Sequence, residues 1–292
     1  MIINQATLAA MFKSFNTLFN QAFTGVAPMW NQIAMRVPSS GRENTYAWLG
    51  AFPKMREWLG DRQVKNLTLS DYTIKNKKYE VTVEVDRSDI EDDAIGVYSP
   101  MMSEMGRAAA VHPDELVFAL LALGISTVCY DGQYFFDTDH SVAGASVSNV
   151  DSGGGGARWY LLDTSRAVKP IIFQERVAPE FQSLDKADDQ NVVMKDKYIY
   201  GVRARHNVGF GLWQLGFSSN QALDATYYGN AREAMMAFKD DEGKPLGIKP
   251  TLLVVPPSLE AEARTLLRAD RTASGATNIY KDSADLLVCP WL

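Results

Sequence analysis

Three side chains that lie close together in the sequence have the residue types of a metal or acid–base site. Asp137, Asp139 and His140 fall within the run Asp137-Thr138-Asp139-His140, and carboxylate and imidazole groups bind divalent metals or transfer protons. Their spacing matches no established metal motif, so a solvated turn is the better interpretation. A small metal-dependent hydrolase that uses these three side chains stays as an alternative.

A second group of acids precedes the longest apolar stretch of the chain. It comprises Asp86, Asp89, Glu91, Asp92 and Asp93. A calcium-binding loop needs a glycine and a closing glutamate at fixed positions, and both are missing here. The group is therefore predicted to be the solvated, acidic entry to a helix.

The remaining reactive residue types form no catalytic pattern. The glycine run at 153–156 lacks the following Lys and Ser or Thr of a phosphate loop. His112 and His206 have no acid–base partner nearby in the sequence, and Cys129 and Cys289 are predicted to be small core side chains. We therefore expect no catalytic residue, no metal and no cofactor, and no enzyme activity.

Composition and charge restrict the class of protein. The chain has 292 residues, of which 46% are hydrophobic and 22% charged, as in a soluble globular protein. The formal charge of −6 argues against a protein whose main task is to neutralise phosphate. Two cysteines are too few for a disulfide framework, which favours a reducing compartment. No window approaches the roughly 18 apolar residues of a membrane span, so no membrane contact is expected.

The elements that must position these residues begin with a strand and a long helix. From 79 to 86 the apolar residues fall on every second position, which predicts a strand with one buried face. Ser99 is a suitable N-cap and Pro100 a suitable first residue for a helix that continues to Gly124. Pro113 interrupts its hydrogen bonds, so we expect one long kinked helix or two helices end to end.

An apolar stripe at helical spacing marks the N-terminal segment. The stripe predicts an amphipathic helix from 6 to 23. One interpretation is an arm that lays the stripe on a neighbouring subunit, and the other is a helix folded back on its own chain. Periodicity does not distinguish them. The stripe residues are Leu8, Met11, Phe12, Phe15, Leu18, Phe19 and Phe23.

The segment from 36 to 63 is irregular but rich in aromatic side chains, which is typical of a surface that another protein covers, although an internal aromatic cluster is equally compatible. A polar turn at 75–78 then predicts a hairpin leading into the strand. These segments and the stripe supply the candidates for contacts between subunits: Phe12, Phe15, Phe19, Trp48, Phe52, Trp58, Lys75 and Lys77.

The rest of the chain predicts short strands and helices around one core. Strands are predicted at 159–162, 167–173, 251–255 and 285–289, with bent strands from 198 to 217. Helices are predicted at 225–238 and 258–268, and the glycine-rich loop near 152–156 is predicted to be the most flexible point.

Several local runs, in this order, resemble the major head (capsid) subunit family of Mu-like tailed phages, the gpT-type family. Each run alone is weak, and the specificity lies in their combination over nearly the whole chain. The runs are Tyr72-Thr73-Ile74-Lys75-Asn76-Lys77, Glu84-Val85-Asp86-Arg87-Ser88-Asp89-Ile90-Glu91-Asp92-Asp93, Glu104-Met105-Gly106-Arg107-Ala108-Ala109, His112-Pro113-Asp114-Glu115-Leu116 and Leu252-Leu253-Val254-Val255-Pro256-Pro257-Ser258-Leu259-Glu260.

The resemblance implies an α+β fold of the Hong Kong 97 capsid type. Residues 1–37 would be an N-terminal arm and 38–78 an extended loop. Residues 79–130 would form a peripheral domain with a long spine helix, with further peripheral strands within 198–220. Residues 131–292 would be mainly an axial domain.

The resemblance also implies a structural function. The subunit would assemble with itself into hexamers and pentamers of an icosahedral head that encloses double-stranded DNA without reading its sequence. Scaffold and portal proteins would be partners in assembly, a decoration protein a further one, and assembly in the host cytoplasm would lead to the virion capsid. A lysine–asparagine crosslink of some relatives finds no matching pair here. An encapsulin-like compartment shell stays as an alternative from the same fold.

Overall fold

Helices and strands alternate along the chain in the computed structural model, which describes residues 4–50, 70–92, 94–186 and 188–292. The helices are α1 (Gln5–Gly25), α2 (Arg87–Glu91), α3 (Ser99–Ala122), α4 (Gln190–Lys195), α5 (Ala225–Met236) and α6 (Glu260–Arg268). The strands are β1 (Ala34–Pro38), β2 (Glu43–Thr45), β3 (Thr73–Lys75), β4 (Lys77–Asp86), β5 (His140–Val142), β6 (Ala145–Val147), β7 (Val150–Asp151), β8 (Trp159–Leu162), β9 (Ile171–Leu184), β10 (Lys197–Phe210), β11 (Gly216–Ser219), β12 (Leu252–Val255) and β13 (Asp285–Val288).

The first sheet has the strand order β1-β9-β10-β4. Strand β10 runs antiparallel to both β4 and β9, and β1 pairs in parallel with β9. Val81, Val83 and Val85 of β4 face helices α1 and α3, whereas Glu80 and Glu84 point to solvent, as the alternation in the sequence predicts. The buried face of this sheet supports a core cluster of its own.

The second sheet has the order β13-β12-β8-β11-β7. Both β8 and β12 are buried at every position, which is why each reads as a continuous apolar run in the sequence. Helices α5 and α6 pack near this sheet, and the C-terminal half of α3 contributes Val117, Phe118 and Leu121 to the same core. The long helix therefore joins the two cores.

Helix α3 is one continuous helix. Pro100 lies in its first turn, as predicted, and Pro113 lies inside it without ending it. Ser99 belongs to the helix, so the predicted cap was wrong: Tyr98 occupies the N-cap position and makes no side-chain capping bond. The segment Gly96–Ile125 is also long and apolar enough to cross a membrane by length and composition alone, which corrects the expectation that no window approaches that limit. Here α1 and strands β9 and β10 pack against α3.

Strand β9 extends well beyond the predicted strand at 167–173. It runs to Leu184 and pairs with β10 in the first sheet. The chain after residue 131 thus returns to the sheet that contains β4, because both β9 and β10 lie in it. The division into arm, loop, peripheral and axial domains stays a prediction.

Candidate subunit-contact surfaces

Helix α1 is folded back on its own chain. The ring of Phe15 meets Tyr200 of β10 edge-on, with 5.1 Å between the ring centroids. Phe19 lies 5.4 Å from Phe181 of β9, and Phe12 lies 5.5 Å from the same ring. Phe15 and Phe19 are fully buried in the single chain, and Phe12 is half-buried.

The close contact between α1 and α3 depends on a glycine. A side-chain carbon at Gly106 would fall less than 3.0 Å from the backbone oxygen of Phe19, closer than real Cβ contacts. The two helices can therefore approach this closely only without a side chain at that position. Met102 and Met105, on the adjacent turn of α3, complete the cluster with Phe15 and Phe19.

This packing involves two of the contact candidates, Phe15 and Phe19. Of the two interpretations of the apolar stripe, the structure has the one in which the helix covers its own chain. Phe15 and Phe19 have no exposed surface to offer a neighbour in this conformation. Phe12 keeps part of its surface exposed and stays a candidate.

Asp114 connects the segment after α1 to helix α3. The only feature of the sequence that marks this residue is an acid following a proline. Its carboxylate accepts hydrogen bonds from the backbone N–H groups of Met29, at 2.9 Å, and Trp30, at 2.6 Å. Burial raises the pKa of Asp114, and the two donors partly offset this effect. The buried acid thus satisfies two backbone donors where the chain turns toward β1.

Gln174 of β9 connects the β2–β3 pair to the first sheet. This side chain is fully buried, its Oε1 accepts from the hydroxyl of Tyr46 at 2.8 Å, and its Nε2 donates to the backbone oxygen of Ile74 at 3.0 Å and to Oδ1 of Asn76 at 2.8 Å. Burial raises the pKa of Tyr46 to about 12, which keeps the hydroxyl a donor. One amide therefore connects both strands of the β2–β3 pair to the first sheet.

Replacing Gln174 by leucine is expected to destabilise the subunit by about 2–4 kcal/mol, because the apolar side chain leaves the Tyr46 hydroxyl, the Ile74 carbonyl and the Asn76 amide without their buried partner. Urea unfolding followed by fluorescence measures the change. The control is Gln182→Leu, on an exposed position of the same strand, which should change stability by less than about 0.5 kcal/mol. Equal effects at both positions would contradict the role of Gln174.

The other candidates for subunit contacts in this region lie near strands β2 and β3. Trp48 is exposed, and its ring contacts Tyr46 edge-on at 6.3 Å. Lys75 and Lys77 are exposed at the turn between β3 and β4. Phe52 and Trp58 lie outside the described residues.

An apolar patch that the sequence reading missed lies at the turn between β9 and β10. We call it the tip patch, and it consists of Leu184, Val193 and Met194, whose side chains are 51%, 67% and 74% exposed. Asn191 connects the two ends of this turn: its amide donates to the backbone oxygens of Leu184, at 3.0 Å, and Lys197, at 2.7 Å. Apolar side chains with this much exposure are typical of a surface that binds a partner.

A second exposed apolar set follows the end of α3. Leu123, Ile125, Val128 and Tyr134 are each between 41% and 53% exposed. Val128 and Tyr134 face each other across an isolated antiparallel bridge. The segment therefore holds these side chains at the surface in fixed positions.

Comparison with known proteins identifies the kind of protein to which these surfaces belong. The family model "Mu-like prophage major head subunit gpT" matches residues 8–292. The "Mu-like prophage FluMu major head subunit" of Haemophilus influenzae is 46% identical over 275 residues, covering 90% of this chain and 89% of the relative. The "Major capsid protein" of Escherichia phage Mu is 40% identical over 305 residues and covers 100% of both chains.

The chain belongs to the Mu-like prophage major head subunit family. Solved structures agree with this assignment. A chain of the bacteriophage JBD30 procapsid superimposes with a TM-score of 0.88 at 47% identity, covering 99% of this chain and 100% of the other. A chain of the JBD30 capsid gives a TM-score of 0.81 at 35% identity, covering 100% and 99%.

The predicted family, the α+β class and the Hong Kong 97-type capsid fold are thereby confirmed. The head subunit is a structural protein, the major capsid subunit of a Mu-like phage, and not an enzyme. Its relatives form phage capsids, so the subunit associates with itself and is a component of the virion. The compartment-shell alternative is not favoured, because the curated relatives are phage head proteins along their whole length.

The hydrolase alternative is wrong for this head subunit, and the geometry explains why. The Asp137 carboxylate accepts from the N–H groups of Tyr134 and Thr138, which makes it a turn cap. His140 is fully buried, with Nδ1 2.7 Å from Asp131 and its ring stacked 3.9 Å from Trp213. Among the described residues, no three His, Cys, Asp or Glu side chains form a group that could hold a metal.

The other candidate chemistry in the head subunit also has a structural use. Asp86 caps α2 by accepting from the N–H of Ser88 at 3.1 Å, as expected for an acidic helix entry. The glycine-rich loop is anchored, because Gly154 and Asn220 exchange two hydrogen bonds of 3.0 and 2.7 Å. Burial raises the pKa of the Cys129 thiol, so it stays protonated and unreactive.

Proposed function

We propose that the subunit forms the hexamers and pentamers of a closed icosahedral head around double-stranded DNA. Membership of the head-subunit family carries this proposal, together with exposed apolar side chains at two separate sites, the tip patch and the set that follows α3. A shell subunit needs several moderate contacts with different neighbours, and heterologous contacts of this kind close into rings.

The tip patch is proposed to bind a neighbouring copy of the chain. Its side chains are apolar and exposed, and they lie at the edge of the first sheet where the chain passes from β9 to β10. Charged residues border it, with Lys195 and Asp196 following Met194 directly. An apolar centre with a charged rim is the usual composition of a protein interface. Trp48, Phe12, Lys75 and Lys77 are proposed as further contacts.

The proposed partners follow from the same function. Scaffold and portal proteins would direct closure in the host cytoplasm, and a decoration protein would bind the finished shell. The net charge of −6 favours a wall that confines DNA without binding its sequence. A basic DNA-binding surface would give the opposite sign of charge.

Sedimentation velocity of the purified chain, followed by negative-stain microscopy of the fast fraction, tests the proposal. We expect a large species that resolves as hollow shells, alone or with the scaffold protein present. Circular dichroism on the same samples establishes that the subunit is folded. A folded chain that stays a monomer or small oligomer in all these conditions would refute the proposal.

A further inference from the structure

A cluster of four rings lies between helix α3 and the first sheet. Tyr79 of β4 stacks on His206 of β10 with 4.7 Å between the centroids, and it meets His112 of α3 edge-on at 4.4 Å. The two histidine rings are 5.3 Å apart, and Phe173 of β9 lies 5.3 Å from His206. The cluster thus connects α3 with three strands.

His206 is buried without a polar partner. Its side chain is 2% exposed, and neither ring nitrogen makes a hydrogen bond. Nε2 of His112 is also buried without a partner, while its Nδ1 lies 3.6 Å from the carboxylate of Glu115. A neutral imidazole can be buried in such a place. A protonated imidazole is strongly disfavoured there, because it loses its hydration and has no hydrogen-bond acceptor or counter-ion to replace it.

A cleft of about 210 Å³ adjoins the cluster. Its lining includes small or apolar side chains, Ala108 and Ala109 from α3 and Val81, Val202 and Ala204 from the sheet. Small side chains across this junction give α3 few interlocking contacts beside the rings. The ring cluster is therefore a large part of what holds this section of α3 to the sheet.

The charged groups around His206 do not provide a counter-ion for it. Glu175 of β9 is its partner in the ladder but is already paired with Arg36 of β1. Lys77, its partner on β4, is a cation, as is Arg205 on its own strand. Glu80 and Glu115 line the cleft, and Glu115 lies against His112.

We propose that this junction is acid-sensitive: α3 stays on the sheet while His206 is neutral, and this section opens locally when His206 takes up a proton. The opening exposes the ring to water, where the charge is hydrated. The proposal concerns the single subunit and does not depend on assembly.

The direction of the pH dependence follows from the burial. Burial, and after it the charge of His112, lowers the pKa of His206 from 6.5 to about 4. The open state binds the proton with the ordinary pKa, so the closed state is fully favoured above about pH 6.5. Its advantage falls as the pH drops from about 6.5 to about 4, and below that range His206 causes no further change.

Hydrogen exchange of the full-length unassembled subunit measures the opening. Between about pH 7.5 and about pH 5, the opening equilibrium of peptides from α3 and β10 should rise about thirtyfold after correction for intrinsic exchange rates. Peptides from α6, far from the cluster, should change by less than about threefold. In His206→Phe, which keeps the stacked ring but cannot be protonated, the rise in α3 should disappear.

Two further measurements make the test specific. Tyr79→Phe keeps the ring and does not titrate in this range, so it should retain the thirtyfold rise. In imidazole NMR spectra of the wild type, the resonance that is absent from His206→Phe should show a ring that stays neutral through pH 5. If His206→Phe fails to fold, His206→Gln replaces it.

The proposal is overturned by any of three results. One is a wild-type subunit whose α3 protection does not fall with acid. Another is a fall of the same size in α6, which would mean global unfolding. The third is a fall that persists when residue 206 cannot be protonated.

Discussion

Replacing Phe15 and Phe19 together by aspartate will release α1 from the first sheet and unfold the cluster beneath it. Both rings are fully buried against β9 and β10, and truncation of one buried phenylalanine typically costs about 3–5 kcal/mol. Two such losses, with two unpaired charges placed in the same cluster, approach the whole stability of an ordinary domain, about 5–15 kcal/mol. Thermal unfolding and limited proteolysis of the purified subunit measure the effect.

A charge-matched control lies on the other side of the same helix. Ser14 and Gln21 are exposed, so Ser14→Asp with Gln21→Asp adds the same two charges without entering the core. This variant should keep the wild-type unfolding temperature to within a few degrees. If the Phe15 and Phe19 variant instead stays as stable as the wild type and fails only in assembly, the stripe covers a neighbour and the packing described above is wrong.

Replacing Val193 and Met194 together by aspartate is expected to block shell formation while leaving the subunit folded. Their side chains are 67% and 74% exposed, so the single chain loses little packing. In a shell, burial of each would contribute about 1.5–3 kcal/mol per contact, and loss of both should raise the concentration needed for assembly by more than about tenfold. Light scattering against subunit concentration gives the threshold, and unfolding curves establish stability.

Lys186→Asp is the control for charge alone. It makes the same change of two charge units in the same turn but removes no apolar surface. We expect it to assemble near the wild-type threshold. Equal failure of both variants would show that repulsion, and not loss of an apolar contact, prevents assembly.

The elements with clear periodicity were predictable from the sequence. The stripe of α1 and the alternation of β4 each follow from residue spacing, and Pro100 marks the first turn of α3. The continuous apolar run at 252–255 likewise predicts a buried strand, and β12 lies there. In these segments the positions of the residues that face the core determine whether the chain forms a helix or a strand, so the local pattern is sufficient to predict the element.

Strand β9 shows why other parts were not predictable. Pro179 lies inside it and argues against a strand interior. The pairing explains the exception: β1 ends opposite Glu175, so beyond that residue β9 has no partner on that side, and the missing N–H of Pro179 costs little. Pro179 can be placed inside a strand only when the partners of β9, and the residues over which each pairing extends, are known.

The contact surfaces were harder to predict than the fold. Periodicity identified Phe15 and Phe19 as one face, but whether a chain or its neighbour covers that face depends on the tertiary arrangement. Val193 and Met194 lie in a helix of six residues, too short for a periodic signal, and only their exposure in the folded chain marks them. Gln174 gave no signal, because a buried glutamine resembles an exposed one in sequence.

Cryo-electron microscopy of particles from cells that produce this chain with its head-assembly proteins will show whether the chain builds a closed head. We expect closed shells in which the subunits are arranged in sixfold and fivefold groups, with the tip patch covered by a neighbouring copy. Folded subunits that form no shell under these conditions would show that the chain does not build a head, and shells in which Val193 and Met194 face solvent would show that the tip patch is not a subunit contact.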